Sequence, residues 1–213
     1  MLNVKETNIG IPWDIRTYYE QWVEDQLKLD LHRGFAAGPL GKMPLKKWPE
    51  RNISATFFDF IGAESLAGMF VGELAPGQSS TPVRQIYDEV IFIVSGHGNC
   101  TVETPNRTIS FEWGKHSLFA IPLNCSYRLH NGSGREPARF ISVNTMPMML
   151  NMFRDQRFIW QLDYDFRRID DSVSPTDAML YKPDAAHDRT AVDLYDTNFV
   201  PDVLAVPRVS FAE

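Results

Sequence analysis

A block of short β-forming runs, each closed by turn residues, fills the sequence between about Asn52 and Val143. In order along the chain, the runs are SATFFDFI, LAGMFVGEL, EVIFIVSG, NCTVET, RTISFEW, SLFAIP, SYRLHN and ARFISVN. Glycine, proline and asparagine lie between them, as in residues 75–78, 95–98 and 131–135. Many short strands at this spacing are typical of an antiparallel sandwich or barrel and not of βαβ units. The sequence therefore predicts an all-β fold.

The segments on either side of this block differ from it in pattern. Before it, apolar residues at helical spacing predict a helix over Ile15–Leu31, followed by an irregular arm. After it, the Met- and aromatic-rich residues 146–158 indicate core or interface packing more than a cofactor site. The last residues, rich in Asp, Pro and Ser, predict an extended arm. We therefore expect an N-terminal helix and arm at 1–51, one barrel at 52–145, and a C-terminal segment and arm at 146–213.

Charge and cysteine content argue against several classes of protein. The 27 Asp and Glu residues exceed the 21 Lys and Arg residues, and the sequence has no basic stripe that would suit nucleic acid. Its apolar runs are far shorter than the ~20 residues that a membrane span needs. Two cysteines, Cys100 and Cys125, do not define a disulfide scaffold, and the N-terminal residues lack the apolar core of a signal peptide. We expect a cytoplasmic protein with no nucleic-acid or membrane partner.

Two stretches of the β block contain the anchor residues of a known pair of motifs. Residues 76–98 place Gly77, Glu89 and Gly96 in the spacing G-x5-H-x-H-x3-4-E-x6-G, and residues 114–131 place Pro122 and Asn131 in the spacing of the second motif. The sequence thus resembles the cupin superfamily of RmlC-like jelly-roll barrels. Its flanks resemble bacterial bicupin-like proteins of the cupin-2 type. The resemblance implies a single cupin barrel, reduced from two, with an N-terminal helix and extended terminal arms.

The sequence departs from this family at the metal ligands. In cupins, two histidines and a glutamate of the first motif and a histidine of the second hold a divalent ion. Here Val83 and Gln85 stand at the first two histidine positions and Tyr127 at the third, while Leu129 stands where relatives often have another histidine. Valine has no lone pair, and an amide or a neutral phenol is a poor ligand for a transition metal. We therefore expect no metal and no cofactor.

Alternation along the strands predicts which side chains point into the barrel. If Glu89 points inward, a period of two places Gln85 and Tyr87 on the same side and Asp88 outside. In the second motif, the same rule predicts that Tyr127, Leu129 and Asn131 point inward. It predicts that Arg128 and His130 point outward. His97 and His116 fall in turns and are interpreted as surface histidines.

These positions define the candidate site. Glu89 is the candidate general base and Tyr127 the candidate acid, with Gln85 orienting the substrate. The alternative for the same residues is a buried polar network in which the carboxylate is satisfied by Tyr127, Gln85 or a nearby arginine. The candidate substrate contacts are Asn131, Tyr87, Ile91, Phe119 and Leu129, which would give a partly apolar pocket.

Three functions remain open on the sequence. The first is a metal-independent cupin enzyme that isomerises, epimerises, dehydrates or cyclises a small, partly apolar organic molecule, for instance in natural-product biosynthesis. The second is a non-catalytic cupin that binds a small molecule or has a structural role. The third is a metal-dependent dioxygenase or decarboxylase with atypical ligands. Since exposed β edges need covering, we also expect a homodimer in which a terminal segment packs on the partner barrel.

Overall fold

The computed structural model describes residues 15–63, 65–104, 107–164 and 199–206. The β-strands are β1 Leu31–Gly34, β2 Lys46–Trp48, β3 Ile53–Phe60, β4 Gly68–Leu74, β5 Glu89–Ser95, β6 Gly98–Glu103, β7 Thr108–Trp113, β8 Leu118–Ile121, β9 Ser126–Asn131, β10 Ala138–Asn144 and β11 Phe199–Val200. The helices are α1 Tyr18–Gln21, which continues as a π-helical turn over Trp22–Gln26, α2 Met146–Phe153 and α3 Gln156–Trp160. Short 3₁₀ turns lie at Leu40–Lys42 and Pro49–Arg51.

The strands form two sheets around one core. The larger sheet has the order β1-β3-β4-β10-β5-β8-β11, with β2 also paired to β3, and the smaller sheet has the order β7-β6-β9. Bridges from Ser79 to His130 and from Val83 to Tyr127 extend the smaller sheet beyond β9. Each β-forming run of the sequence contains a strand, and non-consecutive strands are neighbours, as in a jelly roll. The all-β barrel predicted from the sequence is confirmed.

The inner faces of both sheets are apolar. Phe57, Phe70 and Ile91 of the larger sheet share a buried cluster with Phe111 and Leu129 of the smaller sheet. In β7, buried and exposed residues alternate along the strand, as expected where one face of a sheet meets the core and the other meets water. The barrel thus supplies a low-dielectric interior in which any polar side chain requires a partner.

Backbone geometry explains the glycines of the first motif. Gly77 and Gly96 have φ angles of 66° and 90°, in the region that glycine adopts without steric cost. Gly96 also lies where a Cβ atom would come within 2.7 Å of the Ala138 side chain. A side chain at this turn would therefore be strained and would clash with β10.

The helix predicted over Ile15–Leu31 is shorter at both ends. It begins after Thr17, whose hydroxyl accepts a hydrogen bond from the Glu20 amide while the Glu20 carboxylate accepts one from the Thr17 amide. It ends before Lys28, which has a φ of 57°, and Leu31 already begins β1. The helical spacing of apolar residues therefore predicted the helical segment correctly over residues 18–26. The Thr17 cap and the left-handed backbone of Lys28 set its two ends.

Part of the predicted C-terminal arm packs on its own barrel. Strand β11 pairs with β8, and the Phe199 ring lies 4.9 Å from that of Phe111 and 6.4 Å from that of Phe119 between centroids. Residues 165–198 and 207–213, which make up the rest of this predicted arm, lie outside the described residues, as do residues 1–14 of the predicted N-terminal arm. Within the described ranges, no helix is both long enough and apolar enough to cross a membrane.

Candidate functional site

The Glu89 carboxylate is the centre of a hydrogen-bonded group inside the barrel. Its Oε2 atom accepts hydrogen bonds from Gln85 Nε2 at 2.6 Å and from the Tyr127 hydroxyl at 2.8 Å, and its Oε1 atom accepts one from Ser142 Oγ at 2.5 Å. Asn144 Nδ2 donates in turn to Ser142 Oγ at 3.0 Å. These five residues are called the Glu89 network. Glu89 is 1% exposed, so the carboxylate depends on these donors for solvation.

Strand register brings the network together. Glu89 is the first residue of β5 and is the cross-strand partner of Asn144, while Ser142 is opposite Ile91 two residues further along β5. Tyr127 lies on β9, where its backbone exchanges hydrogen bonds of 2.8 and 2.9 Å with Val83. Gln85 follows Val83 closely in sequence, so it reaches the same region from the loop before β5. The predicted trio Glu89, Tyr127 and Gln85 is therefore in direct contact.

The predicted facing of these strands agrees with the observed burial. Tyr127, Leu129 and Asn131 are buried, whereas Arg128 and Asp88 are exposed. His130, predicted to face away, is partly buried, and its Nδ1 atom lies 2.9 Å from Ser79 Oγ.

A buried arginine that the sequence analysis did not select lies beside the network. Arg51 is 8% exposed, and its Nη2 atom donates to the Tyr87 hydroxyl at 3.0 Å. Burial lowers the pKa of Arg51, but the neighbouring tyrosines and the Glu89 charge more than offset this, so that its pKa is raised overall. The guanidinium therefore remains charged, and it balances the negative charge of Glu89.

Both phenols of the site keep their protons at neutral pH. Burial, reinforced by the negative charge of Glu89, raises the pKa of Tyr127 well above its ordinary value. Burial also raises the pKa of Tyr87 to about 12, although Arg51 acts in the opposite direction. Tyr127 is therefore a hydrogen-bond donor to Glu89, and Tyr87 is an acceptor for Arg51.

The network does not fit the metal that the cupin resemblance would imply. Val83 offers no lone pair, and the other side chains around Glu89 are an amide, a neutral phenol and a serine hydroxyl, which are poor ligands for a transition metal and here donate their hydrogens to the carboxylate. In the part of the chain that the structure describes, there is also no group of three or more His, Cys, Asp or Glu residues suited to hold one. The side chains around Glu89 therefore do not fit a transition-metal site.

The predicted substrate contacts have different environments. Ile91, Phe119 and Leu129 are fully buried core residues, and Ile91 is the cross-strand partner of Phe119. The Tyr87 hydroxyl accepts a hydrogen bond from Arg51, whose charge interacts with that of Glu89. The structure does not bring Asn131 to the carboxylate: its amide donates to the backbone carbonyls of Leu74, Ala75 and Glu136, and it accepts from the Ser133 amide. Asn131 therefore fixes loop structure, and its amide hydrogens are not available to a substrate.

Ser142 and Asn144 were also missed, although the sequence contains a signal for them. They alternate with Ile141 and Val143 in the run ARFISVN, so they share the face of buried Phe140. Two small polar residues on the apolar face of a strand indicate a polar partner inside the barrel. Arg51 had no comparable signal, because it lies in a turn where arginine is ordinarily exposed.

A second feature, here called the tryptophan cleft, lies at the edge of the barrel beside Arg51. It has a volume of about 410 Å³, and its lining includes Trp22, Trp48, Arg51, Val83, Arg84 and Trp160. The rings of Trp22 and Trp160 are stacked with centroids 5.1 Å apart, and Trp22 meets Trp48 edge-on at 5.9 Å. Arg51 Cζ lies 5.1 Å from the ring centroid of Trp48. Arg51 therefore lines the cleft and is also close enough to Glu89 for their charges to interact.

Neither a model of a known protein family nor a curated protein matches this sequence. Among solved structures, the chain is similar to the Schizosaccharomyces pombe Cnp3 cupin domain, with 17% identity over 56% of this chain and 80% of that chain and a TM-score of 0.45. It is also similar to vicilin from Capsicum annuum, with 10% identity over 44% of this chain and 27% of that chain and a TM-score of 0.41. A third is vicilin from Corylus avellana, with 12% identity, 47% and 31% coverage and a TM-score of 0.43.

The match thus spans less than a third of the length of these vicilin chains. Sequence identities this low give no information about the activity of this chain. The jelly-roll barrel is defined by the strand order and register of this chain itself.

Proposed function

We propose that this chain is a metal-independent enzyme that moves a proton on a small, partly apolar organic substrate at Glu89 and Tyr127. The observation that supports this is the contact of 2.8 Å between the Tyr127 hydroxyl and Glu89 Oε2 inside the barrel. The carboxylate is the group that takes a proton, and the phenol, with its raised pKa, still holds one to give. Such a pair suits isomerisation, epimerisation, dehydration or cyclisation.

The other network residues would support this chemistry by position and charge. Gln85 and Ser142 hold the two carboxylate oxygens in a fixed orientation. The positive charge of Arg51 lies close enough to interact with Glu89 and Tyr127, where it would stabilise negative charge developing on a substrate. In the described part of the chain, Gln85 Oε1 is a buried acceptor without a hydrogen-bond partner. It would accept a hydrogen bond from a substrate hydroxyl or amine.

Deuterium incorporation tests the proposal even while the substrate is unidentified. The chain, purified with chelator and verified to be metal-free, would be incubated in D₂O with a small-molecule extract and analysed by mass spectrometry. We expect compounds that gain a carbon-bound deuterium with the wild-type chain and not with Glu89→Gln or Tyr127→Phe. Glu103→Gln and Tyr164→Phe are matched controls outside the network and should label like the wild type. Labelling that survives Glu89→Gln, or that requires added metal, would contradict the proposal.

A second candidate is a non-catalytic small-molecule-binding barrel. The observation that favours it is that both carboxylate oxygens of Glu89 already accept hydrogen bonds and that the group is almost fully buried. In this case no compound is labelled in D₂O, and Glu89→Gln changes stability without changing ligand binding. Localisation in the cytoplasm and a homodimer stay predictions under either candidate.

A further inference from the structure

Arg51 has more hydrogen-bonding capacity than the protein itself uses. A guanidinium has five N–H donors, and among the described residues Arg51 has one acceptor, the Tyr87 hydroxyl at 3.0 Å. Arg51 Cζ lies over the Trp48 ring, 5.1 Å from its centroid, and the planar fork of guanidinium donors matches the geometry of a carboxylate. Arg51 also lines the tryptophan cleft. The unused donors are therefore available to a ligand in the cleft.

The cleft has an apolar part, and its other lining residues are polar or charged; the apolar part consists of Trp22, Leu27, Trp48, Pro82, Val83 and Trp160. Trp22 and Trp48 are buried against the barrel, and Trp160 stacks on Trp22 from α3. Val83, which stands where the cupin motif has a histidine, adds an aliphatic surface beside Arg51. The volume of about 410 Å³ lies within the range of small-molecule sites, roughly 300–1,000 Å³. The cleft therefore suits a flat apolar body about the size of one or two fused rings.

The charges on the cleft favour an anion. Two guanidinium groups, those of Arg51 and Arg84, line it, together with one carboxylate, that of the exposed Glu50. Arg84 is held by its Nε atom, which donates to the Asn124 backbone carbonyl at 3.1 Å and to Asn124 Oδ1 at 2.9 Å. The Arg84 guanidinium is therefore fixed at the cleft instead of extending freely into water.

We propose that the tryptophan cleft binds an organic carboxylate with a flat apolar body. The carboxylate accepts paired hydrogen bonds from Arg51, and the apolar body packs against Trp22, Trp48 and Trp160. Arg84 adds a second positive charge at the cleft wall. This site shares Arg51 with the surroundings of the Glu89 network, but it does not depend on proton transfer at Glu89 and Tyr127.

Calorimetric titration of the full chain with a matched pair of probes tests the site. The probes are 2-naphthoate and 2-naphthamide, which share shape and ring but differ in charge. We expect one saturable site for 2-naphthoate and at least about tenfold weaker binding of 2-naphthamide, because charge-assisted bidentate bonds are lost. Equal affinity of the two probes, or no saturable binding of 2-naphthoate at millimolar concentration, would overturn the proposal.

Substitutions locate the binding site. Trp160→Leu and Arg84→Gln should each weaken 2-naphthoate binding several-fold, whereas Arg157→Gln, an exposed arginine on the same helix as Trp160, should leave it unchanged. Arg51→Lys keeps the charge but loses the fork of donors, so it should weaken binding of 2-naphthoate and not of 2-naphthamide. Wild-type affinity in Trp160→Leu and Arg84→Gln would place the ligand elsewhere and refute the proposal. Glu89→Gln removes the charge that balances Arg51, so it should not weaken 2-naphthoate binding even though it abolishes the proposed proton transfer; the two proposals can therefore fail separately.

Discussion

The Glu89 network and the tryptophan cleft lie on either side of Arg51, and they use polar groups in opposite ways. In the network, hydrogen-bond donors from Gln85, Tyr127 and Ser142 surround one carboxylate. In the cleft, a charged guanidinium with mostly unused donors lies among apolar rings. The difference teaches that the polar groups inside this barrel mostly satisfy one another, while spare hydrogen-bonding capacity for a ligand lies at the barrel edge.

The largest expected effect comes from removing the centre of the network. Glu89→Ala would leave the donors of Gln85, Tyr127 and Ser142 without their acceptor and the Arg51 charge without its balancing charge. Breaking a buried charged group in this way costs about 3–5 kcal/mol, so we expect a loss of that order in the free energy of unfolding, measured by urea denaturation. Glu89→Gln, which keeps the shape and one carbonyl oxygen, should lose less. A loss below about 1 kcal/mol for Glu89→Ala would mean that the network does not stabilise the fold.

A second prediction concerns the three positions at which the cupin motif has histidines and this chain does not. With Val83→His, Gln85→His and Tyr127→His together, three imidazoles and Glu89 would surround one point inside the barrel, because Val83 and Tyr127 are paired across strands. Zinc at a hundredfold excess over its dissociation constant should then stabilise the variant by about 2.7 kcal/mol. The measurement is urea denaturation of the variant with and without zinc.

The wild-type chain is the control for this experiment. It should show no zinc-dependent change in its free energy of unfolding. Equal stabilisation of the wild-type chain would mean that the existing network is itself a metal site.

The smallest expected effect concerns alkaline pH. The pKa of Tyr87 is raised to about 12 in the folded chain, against an ordinary value of about 10. The folded state therefore holds this proton more tightly than the unfolded state does. The contribution of Tyr87 to the free energy of unfolding is fully present below about pH 10 and falls between about pH 10 and 12, by on the order of 2 kcal/mol. Urea denaturation across this range measures the slope. Tyr87→Phe should make it shallower, whereas Tyr164→Phe, at an exposed position, should not; identical slopes in the wild type and Tyr87→Phe would contradict the burial argument.

Strands β3 to β10 could be predicted from the sequence, because each has a local signal, whereas β1, β2 and β11 lie in segments predicted as a helix and arms. Runs of six to nine residues between turn residues predicted the eight strands of the block, and the alternation in SYRLHN predicted the inward positions Tyr127 and Leu129. The predicted helix limits were wrong because the spacing of apolar residues does not reveal where a helix is capped. Here the Thr17 cap sets the start, and the left-handed backbone of Lys28 sets the end.

The site was predictable only in part. Glu89, Gln85 and Tyr127 were found because motif spacing and strand alternation both point to them. The cleft was not found, because Trp22, Trp48 and Trp160 come from separate segments that only tertiary packing brings together. The role of Arg51 was missed for the same reason: a residue in a turn became buried through contacts with Trp48 and Tyr87.

Strand β11 is fastened to the larger sheet at few points. It consists of Phe199 and Val200, and nearby Ser117 Oγ donates to the Pro201 carbonyl at 2.6 Å. A strand of two residues can separate from the sheet at a fraction of the free energy of unfolding of the whole barrel. Separation of β11 would expose the backbone amides and carbonyls along one edge of β8, where an extended segment of another molecule could pair with them.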